Sequence, residues 1–118
     1  MKKVYYLSTC STCKRIMGDL AELIAGFVKQ DIKTEPLTLD QIDEMKTRSG
    51  SYESLFSRKA IKYRSMGLAE KQLSEEDYRQ LIHEEYTFLK RPVFIFDEQV
   101  FVGNSKNVIA SLTEQLSI

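Results

Sequence analysis

An α/β fold, β-α-β followed later by β-β-α, with a mixed four-stranded sheet and an inserted helical region, is what this sequence predicts. Three observations carry the prediction. A Val- and Tyr-rich run, KVYYL at residues 3–7, is followed by a helical period and then by the alternating FVKQDI at 27–32. A second β-rich pair, VFIF at 93–96 and VFV at 100–102, flanks a turn at Asp97-Glu98. Between the two pairs, the residues read as helices bounded by Gly, Ser and Pro.

Taken in order, the 3–7 run is a first strand because Val and Tyr suit a pleated, half-buried surface. Ile16, Leu20, Leu23, Ile24 and Phe27 then recur at i, i+4, i+7, i+8 and i+11. That spacing predicts an amphipathic helix over 12–25, with Ser11 or Cys10 at its N-terminus and Gly26 as its stop. With the strand at 27–32 this makes a right-handed βαβ unit. Thr38 and Gln41 form a candidate capping box for a helix over 39–48, stopped by Gly50-Ser51. Residues 52–57 and 59–66 read as short helical pieces, the second ended by Gly67. Ser74 is an N-cap candidate ahead of Glu75, Glu76 and Asp77, and Tyr78, Leu81, Ile82 and Glu85 continue that helix. After Pro92 the VFIF strand lacks polar alternation, which predicts burial on both faces, with Phe94 and Phe96 in the core. Gly103-Asn104-Ser105 lead into a last helix with Val108, Ile109, Leu112 and Leu116 on one face. No internal repeat or low-complexity segment interrupts the chain. The expected organisation is one domain over 1–118, with a core at about 1–36 and 88–118 and a helical insertion at about 37–87. Without the insertion, the thioredoxin skeleton remains.

Composition limits the function classes. The chain has 118 residues, and Lys+Arg and Asp+Glu balance at 17 each, so it lacks the basic footprint of a protein that grips nucleic acid by its phosphates. A role at DNA would run through another protein. No apolar stretch approaches the roughly 20 residues that span a bilayer, and VYYL is too short for the apolar region of a signal peptide. The expectation is a cytoplasmic protein away from membranes, with a monomer as the default.

Cys10 and Cys13, in STCSTCKRI, are the only cysteines. A thiolate is the reactive form of cysteine, and a helix N-terminus favours it through unpaired N–H groups and the helix dipole. Cys10 sits where the loop meets the helix, with Lys14 and Arg15 close behind, so it is the candidate nucleophile. Cys13, nearly one turn further on, is the candidate resolving thiol. Other readings stay open: half a zinc site, two small buried apolar residues, or a structural disulfide. Zinc wants four ligands and only His83 remains among Cys and His, so no metal is expected and His83 is assigned no role. A Cys-x-x-Cys between a strand and a helix of a βαβ unit reads as a redox pair.

The segments YYLSTCSTCKRIMGDL, IKTEPLT, LFSRKAIKYRSMGL, FLKRPVFIF and VFVGNSKNVI occur in the order and rough spacing of the arsenate reductase ArsC/Spx family. The chain resembles that family over nearly its whole length. The resemblance implies a thioredoxin-like fold with Cys10 as the residue that attacks a bound oxyanion. It also implies Arg58 and Arg91 around that anion, with Pro92 as a cis-proline beside it. Glutathione or glutaredoxin would be the external thiol donor, with no bound cofactor. Two guanidinium forks and a helix N-terminus suit a tetrahedral oxyanion. Reductases of this type carry a further arginine just after the last hairpin. Here that stretch reads Gly103-Asn104-Ser105, and Asn104 offers an amide donor without charge. Those enzymes commonly use one active-site cysteine, whereas Cys13 is a feature of the Spx branch. Spx-like proteins are redox-sensing regulators that bind the C-terminal domain of the RNA polymerase alpha subunit, with a glycine in the region of Gly50 contributing. The leading expectation is an arsenate-reductase-like, thiol-dependent oxidoreductase resolved by Cys13 or an external thiol. An Spx-like regulator switched by Cys10 and Cys13 is the alternative, and a general disulfide oxidoreductase is a third.

Overall fold

In the computed structural model, which describes residues 1–118, the chain forms two compact units: Met1–Pro36 with Arg91–Ile118, and Leu37–Lys90. The first unit holds the sheet. Its strands are β1 (Lys2–Tyr6), β2 (Val28–Asp31), β3 (Val93–Phe96) and β4 (Gln99–Val102), in the order β2-β1-β3-β4. β1 pairs parallel with β2 and antiparallel with β3, and β3 pairs antiparallel with β4, which makes the sheet mixed. This is the thioredoxin-like arrangement.

Register explains the core of this unit. Val4 faces Phe94 and Phe94 faces Phe101, so one cross-strand row crosses three strands. Ile16 and Leu20 from the first helical segment and Leu112 from α5 (Lys106–Leu116) join the same buried cluster. Each such side chain contributes about 1.5–3 kcal/mol by leaving water. Val93, Phe94 and Ile95 are all fully buried, so β3 is covered on both faces, as its unbroken apolar run predicts. Phe96 is only partly buried but packs on this cluster and stacks with Phe27.

The first helix, α1, covers Ser11–Asp19 rather than 12–25. Beyond it the chain continues as turns, with the Ile24 N–H bonded to the Leu20 carbonyl at 3.0 Å and the Phe27 N–H to the Ile24 carbonyl at 2.9 Å. Leu20, Ile24 and Phe27 are still buried. Spacings of three and four residues serve successive turns as well as they serve a helix, so the periodicity overstated the helix length. Gly18, near the C-terminal end of α1, has no close neighbour that excludes a side chain, and glycine weakens helix persistence there.

The second unit is built from α2 (Leu39–Ser49), α3 (Ile61–Ser65) and α4 (Glu75–Glu84), with short 3₁₀ turns at Glu53–Leu55, Leu68–Glu70 and Tyr86–Phe88. Both expected caps form. Thr38 and Gln41 make a reciprocal capping box, as do Ser74 and Asp77. The pieces expected at 52–57 and 59–66 shrink to Glu53–Leu55 and Ile61–Ser65. Glu85 does not continue α4. Its backbone is extended, and its carboxylate accepts the Thr87 N–H at 3.2 Å, opening the next turn. Phe56 stacks on Phe88 with ring centroids 5.0 Å apart and packs against Tyr78, forming the aromatic centre of this unit. No helix is long and apolar enough to cross a membrane.

Candidate thiol site

β1 ends at Tyr6, and the loop that follows turns at once into α1. The Cys10 N–H donates to the Leu7 carbonyl at 3.0 Å, while the Cys10 carbonyl accepts the Lys14 N–H at 3.1 Å and so begins the helix. Cys10 is therefore the N-cap residue, with extended backbone. Cys10 makes no side-chain cap hydrogen bond, so its sulfur stands at the first turn without the oxygen acceptor that a serine or aspartate would supply. No acidic residue occupies the first turn to compete for them.

The two thiols differ sharply. Cys10 is partly exposed and Cys13 is buried. Partial burial works against ionising Cys10, but the Cys13 N–H and thiol, together with the Arg91 guanidinium, outweigh it and hold the thiol below its ordinary range. Burial pushes the Cys13 thiol up to about 11, and the neighbouring Cys10 sulfur adds to that rise. One thiol is shifted toward ionisation while the other is held protonated up to high pH behind it.

Arg91 reaches this site because of the turn that precedes β3. The Arg91–Pro92 peptide is cis. The Pro92 carbonyl accepts the Gly103 N–H at 2.9 Å, and the Asn104 amide donates to the Arg91 carbonyl at 3.3 Å. Gly103 has φ +89°, a left-handed conformation in which a side chain would be strained. That glycine lets the chain double back after β4 and bring Asn104 to Arg91. Asn104 uses one of its two amide hydrogens on the protein's own backbone. It also borders a recess of about 410 Å³ with an apolar floor, flanked by Arg15 and Lys106 and by the Asp19 carboxylate.

Cys10, Cys13, Arg91, Pro92 and Asn104 thus all belong to the sheet unit. Arg58 belongs to the other unit, where its guanidinium donates to Glu53 at 2.7 Å and to the Tyr78 hydroxyl at 3.0 Å. Gly50 caps α2 with φ +98°, which accounts for a glycine there on backbone grounds. His83 lies exposed on α4 with Nδ1 3.2 Å from the Leu37 carbonyl. No group of three or more His, Cys, Asp or Glu side chains comes together around a common point. One residue that sequence patterns do not single out stands beside the thiol loop: Asp31, whose Oδ1 accepts the Ser8 N–H at 3.2 Å. The parallel pairing of β1 with β2 is the signal that could have found it, since it places the end of one strand beside the loop leaving the other.

Comparison with known proteins agrees on the family and the fold. The model of the ArsC family matches residues 5–112. The global transcriptional regulator Spx of Bacillus subtilis (strain 168) is 26% identical over 111 residues, covering 92% of this chain and 84% of that protein. Among solved structures, a protein of Streptococcus mutans UA159 described as a possible arsenate reductase is 26% identical. It has a TM-score of 0.76 and covers 96% of this chain and 98% of its own. The arsenate reductase from Vibrio cholerae shares the fold with a TM-score of 0.72 at 17% identity, over 96% of this chain and 95% of its own.

Proposed function

The chain belongs to the ArsC family, and from that membership and the asymmetry of its two thiols we propose a thiol-dependent oxidoreductase with Cys10 as nucleophile and Cys13 as resolving thiol. The observation that carries the reading is the pairing of a lowered Cys10 thiol at a helix N-terminus with a buried, protonated Cys13 one turn behind it.

In the reaction, the Cys10 thiolate attacks the sulfur of an oxidised thiol, or the centre of an arsenate-type oxyanion, and expels thiolate or water. Arg91 and the first-turn N–H groups of α1 offset the negative charge as it moves onto the substrate. Cys13 then loses its proton to the medium and attacks the Cys10 sulfur. Two electrons pass to the substrate, which leaves reduced, and a Cys10–Cys13 disulfide remains. Two equivalents of an external thiol such as glutathione, or one glutaredoxin dithiol, restore the pair and are themselves oxidised. The recess beside Asn104, lined by Arg15, Lys106 and Asp19 over an apolar floor, suits the body of a small thiol that carries both charges, as glutathione does. By family resemblance Arg58 is a second guanidinium for an oxyanion; its Nη2 is engaged with Glu53 and Tyr78, and its other N–H donors are the ones it would offer.

A second reading has its own support. The Spx relative covers nearly the whole chain and is a transcriptional regulator. On that reading the same Cys10–Cys13 pair is a redox switch governing contact with the C-terminal domain of the RNA polymerase alpha subunit. One comparison separates the two. Glutathione oxidation is followed with glutaredoxin present and either arsenate or a small disulfide as acceptor, while binding of the alpha-subunit domain is measured on reduced and oxidised protein. Turnover that disappears in Cys10→Ser supports the oxidoreductase. Absence of turnover with both acceptors, alongside redox-dependent binding, overturns it in favour of the regulator.

A further inference from the structure

We propose that Asp31 is a positioning residue for Cys10: its carboxylate fastens the loop between β1 and α1 in the shape that sets the Cys10 sulfur at the N-terminus of α1. The inference rests on the reading of Cys10 as a thiolate nucleophile.

Asp31 is the last residue of β2 and pairs with Tyr6, the last residue of β1. The parallel strands therefore end side by side, and the loop leaving β1 starts next to the Asp31 side chain. Oδ1 of Asp31 accepts two backbone donors, the Ser8 N–H at 3.2 Å and the Lys33 N–H at 3.1 Å. The Ser8 side chain, those N–H groups and the Lys33 charge together hold the carboxyl below its usual range, against partial burial. Two residues past Ser8 stands Cys10, whose N–H closes the turn onto Leu7. The hinge of this turn is thus tied to the neighbouring strand through one carboxylate. If the tie is lost, the loop from Ser8 onward is free to carry the sulfur away from the first-turn N–H groups and from Arg91. Asp31 itself touches no reacting atom in this scheme.

Charge and position act in opposite directions here, which makes the role separable. Removing a negative charge near a thiol favours the thiolate. Loosening the loop disfavours it, because the sulfur loses the groups that stabilise its anion. Asn at this position keeps an acceptor oxygen for both backbone donors while removing the charge.

The test is the rate at which Cys10 is alkylated by iodoacetamide at neutral pH, with folding checked by circular dichroism. Asp31→Ala is expected to slow alkylation at least about threefold, and Asp31→Asn to retain or exceed the wild-type rate. If Asp31→Ala does not fold, Asp31→Leu, which keeps the bulk without an acceptor, is expected to show a loss in the same direction. Faster reaction in both Asp31 variants would mean that the carboxylate acts by charge alone, and an unchanged rate in Asp31→Ala would mean no role; either overturns the proposal while leaving Cys10 as nucleophile. A wild-type Cys10 that reacts like an ordinary thiol removes the function reading, and this one with it.

Discussion

The two units handle charge in different ways. In the helical unit several charged side chains pair with one another: Arg79 with Asp43 at 2.7 Å, Arg58 with Glu53 at 2.7 Å, and Lys62 with Glu85 at 3.0 Å. In the sheet unit the charge that matters acts on sulfur, with Arg91 favouring the anion at Cys10. The first pattern is how a small helical body with many short elements ties its surface together. The second is how a site keeps a reactive anion at hand. Chemistry is therefore expected to respond to changes in the sheet unit's charges, and stability to respond only weakly to changes in the helical unit's ion pairs.

The largest expected effect separates the two thiols. Cys10→Ser abolishes turnover, whereas Cys13→Ser keeps the first attack and stalls as a mixed disulfide, which mass spectrometry detects as an adduct. Next, Phe94→Ala and Phe56→Ala each empty a fully buried aromatic site and cost about 3–5 kcal/mol in denaturant unfolding. A cost below about 1 kcal/mol at either position would show that its unit is not packed around that ring. Arg91→Gln raises the Cys10 thiol toward its ordinary range, seen as slower alkylation at pH 7, and leaves the fold intact by circular dichroism. The smallest effect lies among the helical unit's ion pairs. Arg79 and the Tyr52 hydroxyl hold the Asp43 carboxyl down at about 2. Because that is below the unfolded carboxylate value, the pair's contribution is present above about pH 4 and fades as pH falls toward 2. The pair is partly exposed, so Arg79→Met is expected to lower stability only slightly at pH 7, and less still once Asp43 is protonated.

Much of this was legible in the sequence because the relevant forces are local. Thr38 with Gln41, Ser74 as an N-cap, and the unbroken VFIF strand each declare their geometry within a few residues, and each forms where expected, although Phe96 at the strand's end is only partly buried. Helix length was not legible: Leu20, Ile24 and Phe27 bury their side chains from a series of turns, and periodicity cannot distinguish that from a continuous helix. Glu85 was misread for a similar reason, since nothing in its neighbours' apolar spacing shows that its carboxylate turns forward to Thr87. In the site, Cys10 and Cys13 were visible as a motif, and family resemblance pointed to Arg91 and Pro92. Asp31 was invisible because its contact with Ser8 spans 23 residues and depends on strand register. Asn104, expected to face an anion, also proved to bind the backbone at Arg91, a contact that depends on the left-handed turn at Gly103.

The asymmetry of the thiols is the centre of this account, and thiolate absorbance followed across pH tests it most directly. Reduced wild-type protein is predicted to show one thiol ionising below the ordinary cysteine value of about 8.5 and a second only near pH 11. In Cys10→Ser the low step disappears and only ionisation at high pH remains. A first ionisation at or above about 8.5 in the wild type, or a low step that survives in Cys10→Ser, would contradict it.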